Sequence, residues 1–371
     1  MICTASLYHH RFQIKTSRGF TSRELKHYVK TTVRKYRVIE FLFAMANSQI
    51  KAVSDYVAVH NRNALAYAIR TAVSLGIFEA LESGQKSAAQ LAEETSANEA
   101  VLPLLLDVLL NTELLEKYGD DYALSTVARL VPNRLMDFGD LHWCHLENFM
   151  RSGISLPANN NLAHTQADFL NGSAANEWMM TPAAIDAAQV LDIGKTRTAL
   201  RILEVGCGSA IFGSTLIHRD PESRLVLLDT ASNLKRAETT IESIGAQDRV
   251  EFIEGDYLDF KLDRQPFDIV IATNLAHRHT EDECKGLFKS VHAHLKSGGE
   301  FVVVDIFPGQ KDGEVTRSIV ALEIVLRTEQ GGLHDPARFQ HNLIMNGFDQ
   351  IRFAHLPAPP HIWGLILAQR D

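Results

Sequence analysis

From residue 200 onward the chain alternates unbroken apolar runs with stretches of helical periodicity. The runs are Arg201–Val205, Leu225–Leu228, Val250–Ile253, Phe267–Ala272 and Glu300–Val304. Strands without polar interruption are buried on both faces, so this pattern predicts a parallel sheet covered by helices. Gln350–Ala354 and Ile362–Leu367 are two further strands, close enough in the chain to form an antiparallel edge. Upstream, residues 50–83 read as helix: Leu65, Ile69, Ala72 and Val73 share one apolar face, and Gly76 marks a break.

Residues 87–125 carry a different pattern. Ser87…Gln90 and Ser96…Glu99 have capping-box spacing, so each predicts a helix start. The second helix is very apolar, from Val101 to Leu110, with Pro103 able to shift its start or kink its first turn. Leu114–Tyr118, Gly119-Asp120-Asp121 and Tyr122–Leu124 then read as strand, turn and strand. Two helices and a hairpin make a winged-helix arrangement. Residues 135–200 are mixed and mostly helical, with a loop at Asn159-Asn160-Asn161 and a series of aromatic and Met residues.

Composition narrows the function class. With 46% hydrophobic and 22% charged residues the chain is an ordinary globular one rather than a disordered one. No run approaches the roughly 18 apolar residues that a bilayer span needs, so a membrane span is not expected. The net charge of −8 is uneven: residues 1–40 hold nine Lys/Arg against two acids, which leaves the remainder at −15. Three readings of residues 1–44 stay open: an over-extended gene start ahead of Met45, a transit peptide, or a basic arm. A winged helix suggests DNA binding, but the helix after Ser96 has no Lys or Arg between Ala97 and Leu115. Phosphate would repel it, so nucleic acid is not an expected partner. So apolar a helix is expected to pack on a second subunit. The four cysteines are far apart, with no CxxC, and there is no HExxH. Neither a disulfide framework nor a metal site is expected, and a reducing, cytoplasmic setting fits.

The chemistry concentrates after residue 200. In Glu204-Val-Gly206-Cys-Gly208-Ser209-Ala210 a strand runs into a glycine-rich turn and then a helix. Asp229 ends the next strand, 21 residues on from Gly208, where an acid can accept hydrogen bonds from ribose hydroxyls. Asp256 after the third strand can meet an adenine amino group, with Tyr257 packing on the ring. Glu204 would repel a pyrophosphate and favour a cationic amino-acid portion, and the third glycine position of a dinucleotide fingerprint is Ile211. These features favour S-adenosylmethionine over NAD.

The stretch Glu204–Ala210, Asp229, Gly255-Asp256-Tyr257, Phe267–Val270 and Leu295–Gly299 resembles the successive motifs of class I S-adenosylmethionine-dependent methyltransferases. The winged-helix front and the segment Asn274–Cys284 are similar to the dimeric small-molecule O-methyltransferases, of the caffeic acid, acetylserotonin and bacterial carotenoid and polyketide type. The resemblance covers about residues 50–371. It implies an α/β fold: a Rossmann-like seven-stranded methyltransferase sheet preceded by a mostly α winged-helix dimerisation domain.

It also implies site residues. His277 matches the family's base; the family's following Asp and Trp are Arg278 and His279 here. The acid that ends the fifth strand in plant members falls on Asp305, and a second acid near a Gly-Gly pair falls on His334. Gly206, Gly208, Ser209, Glu204, Asp229, Asp256, Tyr257 and Asn274 are the expected cofactor residues. Trp143, Phe149, Trp178 and Met179 are expected around a small-molecule acceptor. The expected domains are an extension at 1–44, a dimerisation domain at 45–135, a helical linker at 136–190 and the catalytic domain at 191–371, assembled as a homodimer. O-methylation of a small aromatic or polyketide-like hydroxyl is the leading reading. The alternatives are C-, N- or S-methylation, a ligand-sensing regulator, and a relative that uses the cofactor for another reaction.

Overall fold

The computed structural model describes residues 22–130, 140–157, 177–308 and 313–371. The chain divides into two compact units, Met1–Ala128 and Arg129–Asp371.

In the first unit, α1 (Ser22–Leu75) is one continuous helix of 54 residues. Its backbone therefore begins inside the segment expected to lie outside the fold. It stops at Gly76, as the pattern indicated, and α2 (Ile77–Ala80) follows. Ala72, Ile77 and Phe78 are buried, with Ile69 and Val73 packed beside them. α3 (Ala88–Thr95) starts with the expected capping box. The Ser87 hydroxyl accepts from the Gln90 N–H at 3.3 Å and the Gln90 side chain accepts from the Ser87 N–H at 2.8 Å.

The second expected box does not form. Ser96 ends α3 in the left-handed conformation, and α4 runs only from Leu102 to Asn111. Pro103 is the reason. Inside a helix begun at Ala97 it would lack its N–H and crowd the carbonyl four residues back; in the first turn of α4 its missing N–H has no intrahelical partner to lose. Leu102, Leu106 and Leu109 face the core, while Val101 and Leu104 remain exposed. Burying each such leucine contributes about 1.5–3 kcal/mol. β1 (Lys86–Ser87), β2 (Leu115–Tyr118) and β3 (Asp121–Leu124) form an antiparallel sheet in the order β1-β3-β2, so the winged helix is present. α5 (Thr126–Leu130) follows.

The second unit holds α6 (Asp140–Trp143), α7 (Leu146–Ser152) and α8 (Thr181–Val190), then the sheet. Its strands are β4 (Arg201–Val205), β5 (Arg224–Asp229), β6 (Val250–Glu254), β7 (Phe267–Thr273), β8 (Leu295–Ile306), β9 (Phe348–His355) and β10 (Trp363–Arg370). The spatial order is β6-β5-β4-β7-β8-β10-β9, parallel except for β10, which runs antiparallel to both its neighbours. Strand alternation sends successive side chains to opposite faces. Ile202, Leu227, Ile269 and Val302 therefore enter one core, and Leu203, Leu228, Val270 and Phe301 the other. The covering helices are α9 (Ile211–Arg219), α10 (Ala231–Ser243), α11 (Glu281–His294), α12 (Glu314–Arg327) and α13 (Pro336–Ile344).

The chain winds from β4 outward to β6 and then returns to β7 on the other side of β4. The strand order reverses there, at the carboxyl ends of β4 and β7, which is where open α/β sheets place their ligand crevice. No single helix among the described residues is long and apolar enough to cross a membrane; the end of α1 and the helix after it reach that composition only as a pair, bent by 58°.

Candidate active site

Two turns meet at the carboxyl ends of β4 and β7. β4 runs into Gly206, which has φ of 64° and donates its N–H to the Leu228 carbonyl at 2.9 Å. A side chain disfavours that conformation. A Cβ at Gly206 would also lie 2.8 Å from both methyl carbons of Leu275, in the turn after β7. The glycine turn and the turn that carries His277 are therefore in contact.

Carboxylates hold the glycine turn. The Gly208 N–H donates to Asp229 Oδ2 at 2.9 Å, and Asp229 Oδ1 accepts from the Thr230 N–H at 2.7 Å and Asn233 Nδ2 at 2.8 Å. The Ser209 N–H donates to Glu177 Oε2 at 2.8 Å, and Arg236 donates to the other Glu177 oxygen at 3.0 Å. Glu177 has no local motif to announce it: 32 residues separate it from Ser209, and only the fold brings them together.

Glu204, expected to face the cofactor directly, lies elsewhere. It is fully buried; Oε2 accepts from the Gly213 N–H in the first turn of α9 at 3.0 Å, and Oε1 accepts from Thr273 Oγ1 at 3.3 Å. Burial pushes its carboxyl up to about 8, which these two hydrogen bonds only partly offset, and the charges of Asp229 and Glu177 push the same way. Glu204 is a buried cap for α9.

Asp256 is exposed, with Oδ1 accepting from the Leu258 N–H at 2.8 Å. Tyr257 is half-buried, its hydroxyl 3.3 Å from His279 Nε2 and the two rings edge to face at 5.7 Å. Burial raises the Tyr257 hydroxyl and lowers the His279 imidazole, so both stay neutral near pH 7. Asn274, at φ of 50°, donates its N–H to the Val304 carbonyl at 2.8 Å and keeps the turn after β7 tied to β8.

His277 sits in that turn and is buried. Its Nδ1 is 2.7 Å from Asp305 Oδ1, and its N–H donates to Asp305 Oδ2 at 3.3 Å. The Ile306 N–H also donates to Asp305 Oδ1, at 2.7 Å. Burial alone would raise the Asp305 carboxyl, but the His277 charge and these hydrogen bonds outweigh it and hold the acid below the usual carboxylate range. An ionised Asp305 fixes the proton on Nδ1, which leaves Nε2 as the basic nitrogen.

His334 stands behind this pair. Its Nε2 donates to the Ala276 carbonyl at 2.8 Å, and its ring lies against Phe339 and 3.9 Å from Cys284 Sγ. It supports the backbone just before His277. The Gly332 N–H donates to the His277 carbonyl at 2.8 Å from the other side. Of the expected acceptor residues, Trp143 and Phe149 pack together on Leu156 and Leu326. Met179 is 46% exposed, and the Trp178 side chain lies outside the described residues. The Asn159–Asn161 loop is also outside them. No group of three or more His, Cys, Asp or Glu among the described residues could hold a metal ion.

The arrangement fits S-adenosylmethionine. The glycine turn lacks the Cβ atoms that would obstruct a close ligand, Asp229 ends the second strand, and Asp256, Tyr257 and His279 group beyond the third.

Residues 155–349 match the O-methyltransferase domain family, and residues 61–133 match the O-methyltransferase dimerisation domain. The mitomycin biosynthesis 6-O-methyltransferase of Streptomyces lavendulae is 23% identical over 279 residues, covering 70% of this chain and 79% of that protein. The solved structure of mitomycin 7-O-methyltransferase MmcR is similar in fold, with a TM-score of 0.67, 19% identity, and coverage of 88% of this chain and 100% of that one. Human N-acetylserotonin methyltransferase, solved in complex with S-adenosylmethionine, gives a TM-score of 0.65 at 18% identity, covering 86% of this chain and 97% of that one. The chain belongs to the O-methyltransferase family and is an S-adenosylmethionine-dependent methyltransferase.

Proposed function

We propose that the enzyme methylates a hydroxyl of a small aromatic or polyketide-like acceptor, with His277 as the general base. The observation that carries this reading is the 2.7 Å contact between His277 Nδ1 and an ionised Asp305. Bound S-adenosylmethionine supplies an electrophilic methyl group. The chain's task is then to align the acceptor oxygen and remove its proton. His277 Nε2 takes that proton, and Asp305 stabilises the resulting imidazolium. His334 is a positioning residue, holding the turn through the Ala276 carbonyl.

In this reading Gly206, Gly208 and Ser209 present backbone to the methionine portion, Asp229 accepts from the ribose, and Asp256, Tyr257 and Asn274 flank the adenine. Glu177 joins them at the glycine turn, and Glu204 acts indirectly. Trp143, Phe149, Trp178 and Met179 enclose the acceptor. Residues 45–135 pair two subunits through the exposed apolar face of α4, where Leu104 is 67% exposed. The free thiols of Cys144, Cys207 and Cys284 fit a reducing, cytoplasmic setting.

An amine acceptor is the second reading. A protein of similar fold, TM-score 0.65 at 19% identity, is named N,N-8-amino-8-demethyl-D-riboflavin dimethyltransferase. A labelled-methyl screen of phenols, quinones, polyketides, amines and thiols tests the proposal, preceded by calorimetry with S-adenosylmethionine. Transfer confined to hydroxyl acceptors supports it. Transfer confined to amines or thiols replaces it, and failure to bind the cofactor removes it.

A further inference from the structure

One carboxylate at the glycine turn comes from outside every sequence motif. Glu177 opens the short helix Glu177–Met180, and its Oε2 accepts from the Ser209 N–H at 2.8 Å. A Cβ at Gly208 would lie 3.0 Å from Glu177 Oε1 and 3.3 Å from Oε2. The carboxyl group therefore covers the face of Gly208 that has no side chain. A ligand that meets the turn there meets Glu177 as well. Arg236, from the second turn of α10, donates to Oε1 at 3.0 Å.

The neighbouring acids are otherwise engaged. Glu204 has no exposed surface and accepts from the Gly213 N–H and the Thr273 hydroxyl, so it touches no ligand. Asp229 accepts from the Gly208 N–H, the Thr230 N–H and Asn233 Nδ2, and is read above as facing the ribose. Glu177 differs from both. Its side chain keeps 11% exposure. Among the described residues each of its oxygens accepts one hydrogen bond. A carboxylate has about four acceptor sites, so about two remain for a ligand. An ionised acceptor makes its strongest hydrogen bonds to a cationic donor.

We propose that Glu177 binds the α-ammonium group of the cofactor's methionine portion, with Arg236 positioning its carboxylate. This rests on the reading that Gly206, Gly208 and Ser209 present backbone to that portion. The sequence pattern gives recognition of a cationic amino-acid end to Glu204; the fold buries Glu204 and brings Glu177 to the turn instead. The methionine portion ends in an ammonium and a carboxylate. A carboxylate on the turn attracts the first and repels the second, so it fixes which way round that end is bound. The ammonium is the same before and after methyl transfer. The contact therefore contributes to affinity and not to the rate of the chemical step.

The test uses S-adenosylhomocysteine, its analogue without the α-amine and its analogue without the α-carboxylate. Each is titrated calorimetrically into the full-length enzyme. The wild type is expected to bind S-adenosylhomocysteine at least about tenfold more tightly than the deaminated analogue, as a hydrogen bond to a charged group would give. E177Q keeps an acceptor for the Ser209 N–H and removes the charge. Its affinity for S-adenosylhomocysteine and for the decarboxylated analogue is expected to fall about tenfold, with the deaminated analogue within about twofold of the wild type. E177D keeps the charge on a shorter side chain and part of the preference; R236Q narrows the preference without abolishing it. In steady state E177Q raises KM for S-adenosylmethionine about tenfold with kcat within about twofold. Thermal melting verifies that the variants fold. Equal weakening of all three ligands by E177Q, as loss of a merely structural contact would give, overturns the proposal. A preference that survives E177Q overturns it and leaves the reading of the glycine turn standing. A wild type that binds all three ligands alike, or none of them, overturns both.

Discussion

Nδ1 of His277 lies 2.7 Å from Oδ1 of Asp305 because β7 and β8 are parallel neighbours in a fixed register. Thr273 pairs with Val304, so the chain leaving β7 passes over the residue that follows Val304. The pair is thus a product of the sheet. D305N keeps the shape and removes the charge that fixes the tautomer. We expect kcat to fall about 10- to 100-fold, part of the 10²–10⁴-fold that a positioned base supplies. Because Asp305 titrates below its ordinary range in the folded protein, its stabilising effect is present above about pH 4 and is lost as the pH falls further. Acid melts of D305N should therefore show a shallower loss of stability than the wild type.

G206A tests the contact between the two turns. Alanine at φ of 64° is strained by roughly 1 kcal/mol, and its Cβ would displace the Leu275 methyls. Calorimetry should show S-adenosylmethionine affinity reduced at least tenfold, with a lower melting temperature. Unchanged affinity would mean that the glycine turn does not line the cofactor site.

Glu204 predicts a pH dependence of opposite sign to Asp305. Its folded value is raised to about 8, so between its ordinary value and pH 8 the folded state holds a proton that the unfolded state has lost. Stability then falls as pH rises, by up to about 1.4 kcal/mol per unit, and levels off above pH 8. E204Q keeps an acceptor for the Gly213 N–H without the charge. Its melting temperature should match the wild type at pH 5 and exceed it at pH 8; equal behaviour at both would show that Glu204 ionises freely.

A chain starting at Met45 keeps the second half of α1, including the Ile69, Ala72 and Val73 face that packs on the first unit's core. It should fold, form the same oligomer as the full chain in light scattering, and bind the cofactor with affinity within about twofold. Loss of the dimer would assign residues 22–44 to the interface.

What could be read from the chain was whatever has a short period. The apolar runs marked all seven strands of the large sheet, and the Ser87…Gln90 spacing marked the start of α3, because both depend on near neighbours. The Ser96…Glu99 spacing misled: a capping box competes with whatever follows it, and Pro103 moved the helix start to Leu102. The place of Glu204 depends on burial, which alternation along β4 sets but a motif does not reveal. Glu177 could not be anticipated at all, since its partner Ser209 is close only after the chain folds back on the glycine turn. Arg278, His279 and His334 were visible as departures from the family pattern. Their surroundings depend on contacts between distant parts of the chain, such as His334 Nε2 with the Ala276 carbonyl and the Gly332 N–H with the His277 carbonyl.

The most direct measurement is single-turnover methyl transfer by H277A, alongside calorimetric binding of S-adenosylmethionine. A general-base role for His277 predicts cofactor affinity within about twofold of the wild type and transfer to the preferred hydroxyl acceptor slowed about 10²–10⁴-fold. Transfer at the wild-type rate with intact cofactor binding would contradict it.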